Sequence, residues 1–401
     1  MQELCIKCKG RGFCGKPCMI LQSLKKFQPK VNLEFSGSSP PEVFVGRYGY
    51  PHVFSGILAP PEHLDSRDFS MPELWYSKGK SILDILKARS RMIYSRFIAD
   101  VRSKRENKLK EKMQELALAN RPTDINVKLK KKPKIKIELD RHIAIVANPA
   151  PLKQISIESN VSVERKVEYL ANDTDVKAEE ALIELYNTNI PISSLIKLLT
   201  AGLLGLKFQR KLVPTRWAVT ATDSIISDYL LENVRHYPQI QEYCVFNADY
   251  LGNYYNILLM PGCWSFEVIE ISTKGYFGAG DFASWHDYEF FQGRKNYASS
   301  VTGAYYANRL AVAEYLERIK KQASCIVFRE IREEYWAPCG VGILRECCRA
   351  ALQKKPEIFN NIEDALNSIK SRLKIPIELF LKKSKLLKEM KEQKRLKEFL
   401  K

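Results

Sequence analysis

The stretch from residue 257 to residue 271 limits most strongly how this chain can fold. Four apolar residues at 257–260 run into Pro261-Gly262, and residues 263–271 then resume with β-branched and aromatic side chains in partial alternation. Alternation of this kind, bounded by turn residues, is typical of a half-buried strand. We therefore expect an α+β protein whose core is a mixed sheet with flanking helices.

The segment after this strand is rich in glycine and polar groups. A rigid strand that leads into such a loop commonly presents a functional site. If the body of the protein is catalytic, His286 with Asp281 and Asp287 are candidates for acid–base or metal-ligand chemistry, and Arg216, Arg294 and Arg332 are candidates for phosphate binding. An ordinary charged surface loop is an equally good interpretation. The sequence contains no Walker loop, nicotinamide fingerprint, nucleophile elbow or zinc-protease helix.

The formal net charge of +18 is concentrated in three regions. Residues 85–141 hold 18 Lys/Arg against 7 Asp/Glu, residues 369–401 hold 12 against 4, and residues 1–30 hold 7 against 1. The rest of the chain is mildly acidic. Clustered cations favour a polyanionic partner, because they displace counterions from a phosphate backbone. Nucleic acid is therefore the expected partner, and a charged surface that is only solvated is the alternative.

Composition gives no indication of a membrane protein. No apolar run approaches the roughly 20 residues that a bilayer requires. The charged, cysteine-containing N-terminus lacks the apolar region of a signal peptide. We expect a cytoplasmic, nucleoid-associated protein whose ten cysteines are metal ligands or buried thiols rather than disulfides.

Four cysteines near the N-terminus form the most specific chemical pattern of the sequence: Cys5, Cys8, Cys14 and Cys18. Four thiolates suit the closed tetrahedral shell of a structural Zn²⁺ site. The segment is too short to bury a core, so metal binding would supply its folding energy. An iron–sulfur cluster also takes four thiolates and is the alternative.

Residues 81–141 contain the expected contacts with the DNA backbone. A capping sequence at Ser81 and apolar residues at three-, four- and seven-residue spacing predict a long amphipathic helix whose charged later half, 102–112, projects into solvent. A basic strand or hairpin arm is predicted at 128–138. Both elements would position the protein on DNA without reading bases. The residues concerned are Arg102, Lys104, Arg105, Lys130, Lys131 and Lys132.

The segment from residue 40 to residue 51 combines proline, glycine and aromatic residues. Residues 43–45 are predicted to form a short strand followed by glycine turns. Arg47, Tyr48 and Tyr50 would then form a stacking and phosphate-binding surface for a single strand. Simple core packing is the alternative, since aromatic rings readily bury large areas.

Arg216 is predicted to lie on an apolar strand in the segment 212–223, which joins this strand to a helix ending near residue 234. An arginine in such surroundings requires a partner. We expect either a core carboxylate or a phosphate-bearing ligand to pair with Arg216.

The C-terminus has the pattern of a sliding-clamp-binding peptide. Gln393, Leu396, Phe399 and Leu400 are spaced so that one helical turn presents the apolar side chains to a groove while the glutamine enters a polar notch. Leu400 stands where a second aromatic residue is more usual, which should weaken the affinity. The alternative is an amphipathic helix end that packs on the protein's own body.

With these motifs, the chain resembles the archaeal Nre family of DNA repair proteins over nearly its whole length. The likeness rests on the four cysteines, the segment 40–51, the run Arg216-Trp217-Ala218-Val219-Thr220, residues 287–295 and the terminal clamp motif. The resemblance implies a role in DNA repair, a zinc knuckle and an interaction with the PCNA clamp. It implies no settled enzymatic activity.

We therefore expect a four-cysteine zinc knuckle at 1–30, an α/β body at 31–376 with the basic helix and arm at 81–141, and a basic helical or extended tail at 377–401. The expected function is that of a DNA repair protein that binds DNA and is recruited to PCNA, with a body that processes nucleotides or DNA ends. Two alternatives remain open: a non-enzymatic adaptor that contacts other repair proteins, and an RNA-binding or ribosome-associated zinc protein.

Overall fold

A computed structural model describes residues 5, 7–8, 10–103, 105, 107–273 and 282–392. Their contacts divide the chain into two units. The first unit comprises the described residues up to Ile226 together with Ala337–Ile343, and the second comprises Ser227–Trp336 and the described residues from Leu344 onward.

The first unit is built on a six-stranded sheet and a small two-stranded sheet. The larger sheet has the strand order β1-β5-β8-β4-β3-β2, and β6 pairs with β7 in the smaller one. All pairs in the larger sheet are antiparallel except β4 with β8, which are parallel. The strands are β1 Glu34–Ser39, β2 Glu42–Val45, β3 His52–Ala59, β4 Ile93–Asp100, β5 Thr123–Leu129, β6 Ile137–Glu138, β7 Val146–Ala147 and β8 Pro149–Ile157.

One face of this sheet packs against helix α4 (Lys108–Leu118), and part of the other face is buried in a smaller hydrophobic cluster that includes Leu58 and Tyr94. Met113 and Leu116 of α4 pack into the core with alternate residues of β3, β4 and β5, such as Val53, Phe97 and Ile125. This burial of one face follows from the period-two alternation of strand side chains. The helices are α1 Met19–Phe27, α2 Pro72–Ser77, α3 Ile82–Arg91, α4 Lys108–Leu118, α5 Arg165–Asn172, α6 Ala178–Asn187 and α7 Ile192–Thr200. Helix α8, Thr215–Val234, begins in the first unit and ends in the second.

The second unit contains another six-stranded sheet, with the order β12-β11-β13-β10-β9-β14. Its elements are β9 Tyr243–Tyr250, β10 Asn253–Met260, β11 Ser265–Ser272, β12 Ser284–Glu289, α9 Gly303–Ile319, β13 Ser324–Ile331, α10 Gly342–Gln353, β14 Glu357–Phe359, α11 Ile362–Lys370, α12 Ile377–Leu381 and α13 Lys385–Glu392. Strands β11 and β13 are parallel and central, and they are buried on both faces. Gly252 makes the tight β9–β10 turn at a φ of +78°, where an added Cβ would meet the Tyr335 nitrogen at 2.4 Å.

The α+β class with mixed sheets is confirmed, and so is the strand predicted at 263–271, which is β11. The short strand predicted at 43–45 is also present, as β2. No helix in the described part of the chain is both long enough and apolar enough to cross a bilayer.

The long helix predicted from Ser81 to residue 112 is wrong. The capping box at Ser81 is real, but α3 ends at Arg91, β4 follows, and α4 begins only at Lys108. Residues at 93 and 97 fit both a helical and a strand period. These residues form a strand because β4 is hydrogen-bonded to β3 and β8.

Two smaller predictions also change. Arg216 lies in the first turn of α8 rather than on a strand. The basic arm is a strand only at its two ends, in β5 up to Leu129 and in β6 from Ile137. Between them Lys130–Lys136 form a loop whose main chain bonds to β8, with Lys130 N–H donating to the Pro151 carbonyl at 2.8 Å and Lys134 N–H to that of Pro149 at 3.1 Å.

Candidate nucleic-acid interface

Asp140 gathers three cationic or polar groups from separate parts of the first unit. Its carboxylate accepts a hydrogen bond from Arg216 Nη1 at 2.9 Å and lies 3.7 Å from Arg47 Nη2. His142 donates its main-chain N–H to the same carboxylate at 2.9 Å, and its ring Nδ1 lies 3.0 Å away. The predicted partner of Arg216 is therefore a carboxylate. Two guanidinium groups share one negative charge, so the cluster stays positive overall.

The charge state of Asp140 is fixed by this environment. Burial alone would raise the pKa of Asp140, but hydrogen bonds from His142 and the charge of Arg216 outweigh burial and hold that pKa well below its usual range. Burial also lowers the pKa of the His142 ring. Asp140 is consequently a permanent anion at neutral pH, and it anchors the two arginines.

Exposed aromatic rings lie beside these arginines. The guanidinium of Arg47 stands over the Tyr48 ring at 4.7 Å and donates to the Tyr48 hydroxyl at 3.2 Å. Trp217, next to Arg216 on α8, packs against Tyr50 with ring centroids 5.2 Å apart, and Arg102 lies 5.7 Å over the Tyr50 ring. Tyr48 is 68% exposed and Trp217 is 45% exposed. We call this connected set of six residues (Arg47, Tyr48, Tyr50, Arg102, Arg216 and Trp217) the arginine–aromatic surface.

Local structure holds this surface in place. The β2–β3 turn closes through Gly46 N–H, which donates to the Phe54 carbonyl at 2.8 Å, and Gly49 adopts a φ of +79° within it. Thr215 Oγ1 at the start of α8 accepts a hydrogen bond from Val45 N–H at 3.0 Å. The helix that carries Arg216 and Trp217 is thereby tied to the strand that precedes Arg47.

A second aromatic–cation pair lies at an exposed part of the same sheet. Phe54 and Ile98 face each other across β3 and β4, and both are exposed. The guanidinium of Arg96 stands 3.8 Å over the Phe54 ring and 3.5 Å from the Glu138 carboxylate. The residues after Glu138 lead directly to Asp140.

The predicted DNA-backbone residues are solvent-accessible where the structure describes them. Lys130, Lys131 and Lys132 are exposed in the loop before β6, and Arg102 and Arg105 are exposed after β4. Lys104, like Asp281 and the clamp-motif residues Gln393, Leu396, Phe399 and Leu400, lies outside the described residues.

The four N-terminal cysteines lie near enough to one another for their charges to interact. Burial raises the pKa of Cys5 to about 11, and the charges of Cys18, Cys14 and Cys8 contribute to the rise. Burial opposes ionisation of Cys8, but N–H groups between Gly10 and Phe13 point at its sulfur and lower its pKa. Phe13 N–H lies 3.3 Å from Cys8 Sγ, and Leu21 N–H lies 3.5 Å from Cys18 Sγ.

Such amide-to-sulfur contacts suit thiolates that bind a metal ion. Within the described part of the chain, however, no group of three or more His, Cys, Asp or Glu side chains is arranged to hold one. The metal centre therefore stays a prediction.

The remaining candidates, in the second unit, already have internal partners. His286 Nε2 lies 2.6 Å from the buried carboxylate of Glu267. Arg294 donates to the Tyr288 carbonyl at 2.6 Å and to Asp287 at 3.1 Å. These bonds make both side chains structural elements of β12 and its surroundings.

Arg332 is likewise held within the second unit. It pairs with Glu330 and lies 3.5 Å over the Tyr254 ring. Its Nη2 also donates to the Arg372 carbonyl at 3.0 Å.

Sequence reasoning missed four residues that build the interface: Phe54, Arg96, Asp140 and Trp217. The outward positions of β3 and β4 carry a signal, since a strand that places Phe and Ile on its solvent side breaks the usual polar alternation. This signal becomes visible only when residues 93–100 are assigned to a strand. Asp140 carries no local signal, because its partner Arg216 is 76 residues away.

Fold and site together define an α+β protein of two sheet-based units, one of which displays arginines beside exposed aromatic rings. The chain belongs to the archaeal Nre family. Residues 13–277 match the family described as "Archaeal Nre, N-terminal", and residues 289–399 match "Archaeal Nre, C-terminal". The family expected from the motifs is thus confirmed.

Three curated relatives cover most of the chain. The DNA repair protein NreB of Archaeoglobus fulgidus is 37% identical over 96% of this chain and 97% of its own length. NreA of the same organism, also a DNA repair protein, is 36% identical over 92% of this chain and 93% of its own. The DNA repair protein NreA of Haloferax volcanii is 32% identical over 91% and 90%. No solved structure matches the chain.

Proposed function

We propose that this protein is a DNA repair protein that binds DNA through the arginine–aromatic surface and the exposed loop Lys130–Lys136. The observation that carries the proposal is the sharing of Asp140 by Arg47 and Arg216 beside exposed Tyr48 and Trp217. The repair role is supported by the names of the three relatives.

Charge supplies the physical reason for DNA binding. Arg47 is only loosely paired with Asp140, and its side chain is 36% exposed. Guanidinium groups in this state can donate two hydrogen bonds to one phosphate. The exposed lysines of the loop would add contacts that hold the backbone without reading sequence.

The test replaces three lysines of the loop. Lys130→Gln, Lys131→Gln and Lys132→Gln together should reduce the slope of log affinity against log salt by about 0.9 per lost phosphate contact on duplex DNA. The matched control changes Lys166, Lys177 and Lys207 to Gln in the helical part of the same unit. Fluorescence anisotropy across a salt series provides the measurement. An unaltered slope in the loop variant, or an equal change in both variants, would remove the loop from the interface.

Recruitment to the PCNA sliding clamp is the second part of the proposal. Residues 393–400 have the spacing of a clamp peptide, and they follow α13 directly. The basic residues that precede the peptide favour a segment that binds a partner protein.

Zinc at the N-terminus is the third part. Cys5, Cys8, Cys14 and Cys18 would hold the ion. The N–H groups that point at Cys8 and Cys18 would stabilise the thiolate charge. The ion would supply folding energy to a segment with few apolar residues.

The contacts of the candidate residues in the second unit favour a binding role for the protein over a catalytic role. His286, Arg294 and Arg332 are each engaged by partners inside the unit, as structural ion pairs commonly are. We therefore infer that the repair protein acts chiefly as an adaptor that brings DNA and the clamp together. Stronger competition by RNA than by DNA in the anisotropy assay would instead favour the RNA-binding alternative.

A further inference from the structure

Two large aromatic rings of the first unit are exposed to solvent although they lie on a helix and in a hydrogen-bonded turn. Tyr48 is 68% exposed and Trp217 is 45% exposed, although rings of this size normally bury most of their surface. Trp217 lies in the first turn of α8, and Tyr48 lies within the closed β2–β3 turn. Both exposed rings therefore project from backbone that is held by hydrogen bonds.

Each of the two rings has a neighbour in the first unit and keeps a large exposed fraction. Tyr50 is partly buried against the core of the first unit and supports Trp217 at 5.2 Å. Arg102 approaches Tyr50 at 5.7 Å, and Arg47 approaches Tyr48 at 4.7 Å. A rigid ring with one supported edge and flanking guanidinium groups is the arrangement with which proteins hold an unstacked base.

We propose that the arginine–aromatic surface binds an unpaired DNA strand, with bases stacked on Tyr48 and Trp217 and phosphates held by Arg47, Arg102 and Arg216. This inference rests on the proposed DNA-binding function and specifies its substrate. Bases inside a duplex are already stacked on each other and cannot stack on these rings, whereas every unpaired base has an open face. The positive charge around the rings matches the phosphate backbone of such a strand.

The experiment compares a labelled 20-nucleotide oligothymidylate with a 20-base-pair duplex by fluorescence anisotropy, using the full chain. The double substitution Tyr48→Ala and Trp217→Ala should weaken oligothymidylate binding by roughly 30-fold or more, because one stacked base contributes about 5- to 150-fold in affinity. Duplex binding should change by no more than about twofold. Tyr48→Phe with Trp217→Phe keeps both rings and should restore oligothymidylate binding to within about threefold.

A matched control removes an exposed ring elsewhere on the same unit. Tyr169 of α5 is 60% exposed, and the ammonium of Lys166 lies 5.0 Å over its ring. Tyr169→Ala should leave both affinities unchanged. Quenching of tryptophan fluorescence by oligothymidylate should also fall in the Trp217→Phe variant, which reports contact at this ring directly.

The possible outcomes distinguish a failure of the unpaired-strand inference from a failure of the proposed DNA-binding function. Binding of duplex but not oligothymidylate, or equal losses on both DNAs, would overturn the unpaired-strand assignment and leave DNA binding intact. Binding of neither DNA would overturn both. Tighter binding of the matching oligouridylate would overturn the assignment to DNA and identify an RNA-binding surface. Selective loss on oligothymidylate with recovery in the ring-preserving variant would establish the inference.

Discussion

His286 Nε2 lies 2.6 Å from Oε1 of Glu267, and the same oxygen accepts the main-chain N–H of Lys385 at 2.6 Å. Ser384 Oγ donates to the other oxygen, which Leu386 N–H approaches at 3.4 Å. Glu267 is fully buried on the central strand β11. One carboxylate therefore binds the N-terminus of α13, where the unpaired N–H groups and the helix dipole favour a negative charge.

Glu267→Ala should destabilise the second unit by about 3 kcal/mol, because it leaves several buried donors without their acceptor. The free energy of unfolding can be measured by urea denaturation. Hydrogen exchange should also become faster at the amides of Lys385 and Leu386. Glu389→Ala, which removes an exposed carboxylate from the same helix, is the control and should change neither quantity. Unchanged exchange at α13 in the Glu267 variant would show that the carboxylate does not hold the helix.

Acid should destabilise the first unit through Asp140. The folded-state pKa of Asp140 is depressed, so its stabilising contribution is present above the unfolded pKa of about 4 and is lost as pH falls through the folded pKa. Asp140→Asn should therefore reduce the free energy of unfolding by about 2 kcal/mol at pH 7. The difference from the wild type should shrink below about pH 4.

Denaturation curves between pH 7 and pH 3 test this expectation, with Asp175→Asn, at an exposed position of the same unit, as the control. A difference that grows on acidification would contradict the depressed pKa of Asp140.

Local sequence patterns predicted the buried strand β11 and the short strand β2, because each has strand-type residues between turn residues. For residues 93–100, local sequence patterns predicted the wrong secondary structure. Ile93 and Phe97 are four residues apart and fit a helix, but β4 is set by pairing with β3 and β8, which lie far away in the sequence. Propensity yields to tertiary pairing in such segments.

In the candidate site, too, local sequence patterns identified some residues, whereas others are brought in only by the fold. The residue types Arg47, Tyr48 and Tyr50 indicated a stacking surface, and the structure places Tyr48 at the surface and Tyr50 beneath Trp217. Neither Trp217 nor Asp140 could be joined to them from sequence, since both come from other segments of the chain. A shared carboxylate is a property of the fold.

Zinc binding by the N-terminal cysteines should depend on Cys8. Cys8→Ser replaces a sulfur that receives several N–H contacts, and a hydroxyl is a poor zinc ligand at neutral pH. Metal analysis should find about one zinc per wild-type chain and a large loss in the variant. Cys263→Ser, at an exposed free cysteine of the second unit, should retain the metal. Full zinc in the Cys8 variant would refute the ligand assignment, and iron with sulfide in the wild type would identify a cluster instead.

Clamp binding should depend on Phe399. An aromatic anchor in an interface pocket typically contributes 2 kcal/mol or more, so Phe399→Ala should weaken binding to an archaeal PCNA by about 30-fold. Met390→Ala changes a partly exposed apolar residue of α13, just before the peptide, and should leave the affinity unchanged. Calorimetric titration of both variants against the purified clamp provides the comparison. If the Phe399 variant bound as tightly as the wild type while the Met390 variant lost affinity, the contact would belong to α13 and not to the terminal peptide.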